Sequence, residues 1–401
     1  MKARDTRMRW PGPCPSTRLS DTFGLGERAV GTSCLWQAAT MHATHPSGGT
    51  GFSLIGPNGW VHELTRIDRE RLLPGIALRS AVVTVAITVF AVASGSLRDA
   101  IPLALGGFFA AVADTGEHVG QRWRTMLWTT MWLTLATAIG GLVAGNAAVL
   151  IVCAAVVAFA CGYAASLGPR GSIIGVLTLV IFNAFSVPVA TTADVLRNAG
   201  MVAIGALIQT LATVVFTLLT RPRHMLRRDP RPSVAARLRE HWAHRDLFRL
   251  HAMRLTAAIV IGVVIEQRDL HPHANWIPIV IAWVTLPDRH GTVTKVAARI
   301  TGTLLGAVAM WFVGTVLDLH GYEVAAVIAM GAFISVWLLR ANYSLAVIGI
   351  TIFMLGLFDL LGQPIQMLIR NRILDTIVAG VIVLAVGLVG TALFPARVPT
   401  E

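Results

Sequence analysis

A chain of 401 residues that is 55% hydrophobic and 13% charged, with a mean hydropathy of +0.66, is too apolar for an ordinary soluble domain, which carries about 25% charge. The formal charge of +12 comes from Arg, because Lys occurs only at Lys2 and Lys295. In a soluble protein that balance suggests nucleic acid; between apolar segments it marks the cytoplasmic flanks of membrane helices, so membrane lipids and no nucleic acid are the expected partners. Cys14, Cys34, Cys153 and Cys161 show no CxxC or metal-ligand spacing, and Cys153 and Cys161 read as small packing residues in an apolar run. No disulfide framework, metal or cofactor is expected.

Residues 1–65 form an N-terminal tail rich in Gly, Pro, Ser and Thr without helical periodicity, and they predict irregular or disordered chain. No compact apolar stretch follows the first charges, so no signal peptide is read there, and Met41 is a candidate alternative start. Residues 66–220 and 251–396 each read as a membrane repeat. The apolar spans fall roughly at 74–95, 99–113, 125–145, 147–167, 171–190 and 197–219, then roughly at 251–266, 274–287, 299–317, 322–339, 343–361 and 372–394, against the 17–25 residues of a full span. The second span of each half, around Pro102 and Pro278, is short. Paired short segments point to a binding site at the repeat interface; a tilted or partly buried helix with Pro near its first turn is the alternative.

Residues 221–250 join the halves. They carry nine Arg, and 234–250 reads either as a basic amphipathic helix on anionic lipid or as a solvated linker. Arg122, Arg124, Arg170, Arg289, Lys295, Arg299 and Arg340 fall on the linker side of a twelve-span layout. Both termini and the linker are therefore expected in the cytoplasm of a bacterium, with the chain multi-pass in the inner membrane.

The halves repeat at an offset of about 174 residues, the parallel duplication of some transporters. Arg79 is answered by Arg254, Ile101-Pro102 by Ile277-Pro278, Asp114 by Asp288 and Arg124 by Arg299. Leu196-Arg197-Asn198 is answered by Ile369-Arg370-Asn371, and Thr217 by Thr391. Six spans per half is an even number, so both halves enter from the same side. The expected fold is an all-α integral membrane protein of about twelve helices in two parallel six-helix repeats, related by a pseudo-two-fold axis along the membrane normal.

A second-half motif is more specific: Trp276-Ile277-Pro278, then Pro287-Asp288-Arg289-His290-Gly291-Thr292, then Arg299-Ile300-Thr301-Gly302 running to Gly306. Together with the looser Ala113-Asp114-Thr115-Gly116 and Arg122 with Arg124 of the first half, it resembles the signature of the fusaric acid resistance-like (FUSC) membrane family over about residues 70–395. That family includes aromatic-acid exporters and is related to plant malate channels built from six-span halves. The resemblance implies an inner-membrane transporter of small organic anions, commonly exporting, with a periplasmic adaptor subunit among its expected partners. Where exporters of this type carry a large cytoplasmic domain, this chain has only residues 221–250.

No GxSxG elbow, Walker loop or HExxH motif is present, so no enzyme is expected, and uphill transport needs an ion gradient or another subunit. Ionisable residues at membrane depth are the functional candidates. Arg79 and Arg254 read as a pair of guanidiniums for a carboxylate, or as side chains reaching the headgroups. Asp114 and Asp288 read as ion or proton sites, or as caps and partners of nearby Arg. Arg124 and Arg299 read as topology anchors or as a vestibule that concentrates anions. Arg197, Arg370 and Arg372 lie where basic residues are scarce and read as an anion mouth, or as partners of Asp194 and Asp375. His271-Pro272-His273 reads as a surface loop rather than a metal pair. Gly141 with Gly145 and Gly302 with Gly306 read as close helix approaches. A channel, and a scaffold acting through the basic linker, are the competing functions.

Overall fold

The structure, a computed structural model, describes residues 65–114, 119–220, 247–268, 273–317 and 319–393, with 234, 238, 239 and 271 as isolated positions. The irregular tail expected over 1–65 falls outside these residues except for Thr65, and most of the amphipathic helix expected over 234–250 does too, its last residues 247–250 opening the helix that runs to Glu266; the side chains of Arg289 and Thr391 also fall outside.

Among the described residues there are twelve α-helices and no strand. The first six are α1 Pro74–Ser94, α2 Leu97–Ala113, α3 Val119–Val143, α4 Ala147–Tyr163, α5 Pro169–Ala184 and α6 Thr192–Thr220. The second six are α7 Leu247–Glu266, α8 Trp276–Val284, α9 Arg289–Trp311, α10 Tyr322–Leu338, α11 Tyr343–Asp359 and α12 Ile365–Leu393. A π-helical turn, Phe312–Val316, extends α9. Seven helical stretches are long and apolar enough to cross a membrane. Their outward faces carry Leu78, Phe90, Val156, Leu211, Val381 and Leu388, all exposed. A soluble bundle puts polar side chains on such a face, whereas a helix apolar all round suits a bilayer.

Local chemistry sets the helix ends. Asn146, Asp288 and Asn342 accept hydrogen bonds from Val149 N, Gly291 N and Leu345 N, which caps α4, α9 and α11. Pro74 and Pro169 open α1 and α5, where a missing N–H is harmless. α6 begins at Thr192, earlier than the expected 197, because Thr191 Oγ accepts from Asp194 N and donates to the Asp194 carboxylate. That polar first turn is invisible to hydropathy. α8 is shorter than the expected 274–287 because Pro287 biases the residue before it out of the helical region, and Asp288 already caps the next helix. Inside the helices, Thr125, Thr129, Thr137, Thr210 and Thr217 donate to carbonyls four residues back, which satisfies their hydroxyls without water.

Within each half the second helix packs against the sixth, the third against the fifth and the sixth, and the fourth against the fifth. Across the halves α1 packs on α10 and α4 on α7, the first helix of each half against the fourth of the other. α2 and α8 lie deepest. Every residue of α8 is buried, as is nearly every residue of α2 from Ala104 to Ala113. At 1.5 Å per residue, α8 spans only about 13 Å of a hydrocarbon core about 30 Å thick.

Candidate functional site

At the linker end the paired residues of the sequence repeat go to equivalent turns and meet different partners. Arg79 of α1 donates from Nη2 to Asp114 Oδ2 at 3.1 Å, and Arg122 Nε lies 3.6 Å from Asp114 Oδ1. Asp114, at the end of α2, is 1% exposed. The Arg79 guanidinium also rests over the Phe216 ring of α6, 4.7 Å from its centroid. In the second half Arg254 reaches the turn after α8 and donates from Nη2 to the Pro287 carbonyl at 2.6 Å, while its stem packs on Gly390 of α12. Asp288 is exposed and spends Oδ2 on Gly291 N at 2.6 Å. Arg79 and Arg254 are thus tied within their own halves and are not brought together.

At the opposite end the first half is closed by two ion pairs between α2 and α6. Arg98 meets Asp194 at 3.0 Å and Arg197 meets Asp99 at 2.6 Å. Arg370, the expected counterpart of Arg197, is exposed on α12. Arg124 is half-buried, its guanidinium 4.9 Å from the ring of its neighbour Trp123.

Arg299 stands apart from all of these. Arg299 and Arg372 are each 1% exposed. All three guanidinium nitrogens of Arg299, and Nε and Nη1 of Arg372, have no bonded acceptor by strict geometry; the Tyr343 hydroxyl is the group nearest to pairing with Arg299. Among the described residues no carboxylate forms an ion pair with either. Arg299 projects from α9 one turn after Lys295, whose Nζ lies 4.9 Å from the centre of the Tyr343 ring at the start of α11. Arg372 projects from α12 and rests 5.1 Å from the centre of the Trp276 ring of α8. The charges felt by Arg372 come from Arg299, Asp375 and Tyr343, which places these groups in one neighbourhood between α8, α9, α11 and α12. Leaving an Arg in apolar surroundings costs at least about 2.5–3.5 kcal/mol. Two such guanidiniums and a lysine beside them hold a positive field that Asp375 and Asp288 offset only without ion pairs, where low dielectric strengthens every interaction.

The wall of this cluster faces the end opposite the linker. Trp276 stacks on His273 with ring centres 4.8 Å apart, and Phe358 closes on both rings. His273 hydrogen-bonds Gln363 at 2.7 Å and holds a left-handed φ of 76°, a strained conformation of a kind that gathers at functional sites. Burial lowers the pKa of this loop imidazole, more than the Gln363 hydrogen bond raises it, and the nearby His271 adds to the lowering, so it is neutral near pH 7. Gln363 also lines a cavity of about 430 Å³ with His320 and Asp359, at the ends of α1, α10, α11 and α12. A second, apolar cavity of about 270 Å³ is lined by Arg254, Thr285 and Thr292. Neither cavity is lined by Arg299 or Arg372, so the buried charge rather than the larger void marks the site.

Sequence reasoning weighted Arg370 over Arg372 because the Arg-Asn echo falls on 370. The helical face separates them. Arg370, Leu374, Ile377 and Val381 share the exposed side of α12, and Arg372, Asp375, Thr376 and Ala379 share the buried one. Lys295 and Tyr343 carried no repeat signal and emerge only from the packing of α9 on α11.

Residues 256–386 match the model of a family described as fusaric acid resistance protein-like. The Inner membrane protein YccS of Escherichia coli (strain K12) is 29% identical over 146 residues, which are 35% of this chain and 20% of that protein. The chain therefore spans about a fifth of the length of this curated relative. No solved structure matches. The matched region takes in α8, α9, α10 and α11, together with Arg372 and Asp375 of α12.

Proposed function

We propose that this chain is a secondary transporter of small organic anions, aromatic carboxylates among them, in a bacterial inner membrane, with export as its ordinary direction. In this reading its twelve helices form two six-helix halves about a pseudo-two-fold axis along the membrane normal, and both termini are cytoplasmic. The matching helix contacts within the halves and the reciprocal contacts between them support that arrangement. The family match and the relative's printed name support the membrane.

One observation carries the anion: Arg299 and Arg372 are buried, cationic and unmatched by any carboxylate partner. A carboxylate between them takes the charge-assisted hydrogen bonds the protein withholds. Trp276 and Tyr343 flank the two ends with aromatic faces that suit a flat substrate. The burial favours a carrier over a channel, because an open aqueous pore would hydrate both guanidiniums. Purified protein in proteoliposomes, loaded with benzenesulfonate, is expected to exchange it for external labelled benzenesulfonate, whose permanent charge prevents leakage of a neutral acid. Arg299→Gln is expected to reduce exchange at least tenfold. Exchange that survives both Arg299→Gln and Arg372→Gln, or a steady ohmic current in a planar bilayer, would refute the reading.

A further inference from the structure

Asp375 is the carboxylate nearest the buried cations, and it is oddly placed. It is 1% exposed, and Oδ2 has no hydrogen-bond partner. Its ion-pair contact is His271 Nε2 at 3.1 Å from Oδ1, contributed by the loop between α7 and α8. Arg372 lies one helical turn earlier on the same face of α12 and acts on Asp375 electrostatically, but the two do not ion-pair. A carboxylate held this dry and this loosely bonded has little to keep it ionised except Arg372 and the contact with His271.

We propose that Asp375 is a proton site coupled to the anion site at Arg372, so that proton and anion bind together and travel in the same direction. This rests on the anion reading of Arg299 and Arg372. With Asp375 ionised, its negative charge offsets the field of Arg372 and opposes an incoming anion. When a proton from the aqueous side reached through the His271 loop settles on a carboxylate oxygen, that offset disappears and the anion binds more tightly. By linkage the bound anion holds the proton in turn. A univalent anion then crosses with one proton as a neutral pair, and a cell that accumulates an organic acid exports it with its proton.

The surroundings of Asp375 are consistent with this. α8 carries no titratable group. α9 contributes Arg299 and α11 contributes Tyr343, both acting through Arg372. At this end of α7 the titratable residue is Glu266, with a buried Oε2 that has no bonded donor. The titratable groups facing Asp375 are therefore His271 and Arg372, and the first of these offers a route to the loop.

The test is benzenesulfonate binding to the purified full chain in detergent, read by tryptophan fluorescence across pH 5 to 8. For the native protein the apparent Kd should fall by up to about tenfold per pH unit as pH drops, the limit for one linked proton. Asp375→Asn, which mimics the protonated state, should bind tightly at every pH with a flat profile, while Arg299→Gln should bind weakly at every pH. A flat profile in the native protein, or an unchanged slope in a monodisperse Asp375→Asn, overturns the coupling and leaves the anion site standing. A slope lost in His271→Gln and kept in Asp375→Asn moves the proton to His271 and also overturns the assignment. Should Asp375→Asn fail to fold, Asp375→Glu keeps the carboxyl and must retain the slope. Absence of binding to the native protein at all pH values rejects the anion reading and the coupling with it.

Discussion

At the residue scale, the repeat in sequence does not mean repetition of role. Asp114 and Asp288 hold equivalent places, yet one is a buried counter-ion and the other an exposed cap. Asp114→Asn leaves Arg79 and Arg122 beside a neutral amide in a buried turn, and removing one member of such a pair costs about 3–5 kcal/mol. Asp288→Asn keeps an acceptor for Gly291 N, since Asn and Asp cap about equally well, and should change stability by less than about 0.5 kcal/mol. Thermal unfolding of the two variants in detergent checks the contrast; equal losses would show that the two turns are built alike. Arg299 gives the opposite expectation. Its unbonded nitrogens store about 1–3 kcal/mol of desolvation without a partner, so Arg299→Met should hold or raise the unfolding temperature while flux disappears. A protein that unfolds earlier as Arg299→Met would show that the guanidinium is structural. Sequence reasoning reached Arg299 through its repeat with Arg124, but it could not see that one is buried and the other half-exposed, because that difference arises from α11 closing over α9.

At the scale of elements, hydropathy located all twelve helices, because a long apolar run has few other conformations open to it in a membrane. It misplaced ends that capping side chains and proline determine, as with Thr191 before α6 and Pro287 with Asp288 after α8. Of the two second spans expected to be short, only α8 is, with nine residues; α2 around Pro102 has 17, as many as α4, α10 and α11, and both are buried. Close approach there depends on glycine. A Cβ at Gly106 of α2 would strike the Val202 carbonyl of α6, and one at Gly205 would strike the Leu103 carbonyl in return. Gly106→Ala must therefore push the helices apart, and overpacking of this kind costs about 1–3 kcal/mol. Gly145→Ala, in the open turn between α3 and α4, should be silent. The small-residue spacing in the sequence drew equal attention to Gly145 and to Gly302, yet only Gly302 lies against a neighbouring backbone, that of Ser344. A pair of melting curves checks this: Gly106→Ala is expected to melt earlier and Gly145→Ala to match the native protein, whereas equal curves would show a loose α2–α6 contact.

At the scale of the molecule, the first six helices and the last six treat their charged residues differently. The first half pairs its charges, with the buried Asp114 on Arg79 and Asp99 on the exposed Arg197. The second half leaves Arg299 and Arg372 without such partners, and the family match falls on that second half. Two buried guanidiniums left without ion pairs offer an incoming anion the charge it needs. Whether an anion binds Arg299 and Arg372 is the central question. The most direct measurement is benzenesulfonate exchange in proteoliposomes by the native protein beside Arg299→Gln and Arg372→Gln, with each variant shown to be monodisperse. Exchange in the native protein and at least a tenfold loss in each variant are expected; native-level exchange in both variants would contradict an anion site there.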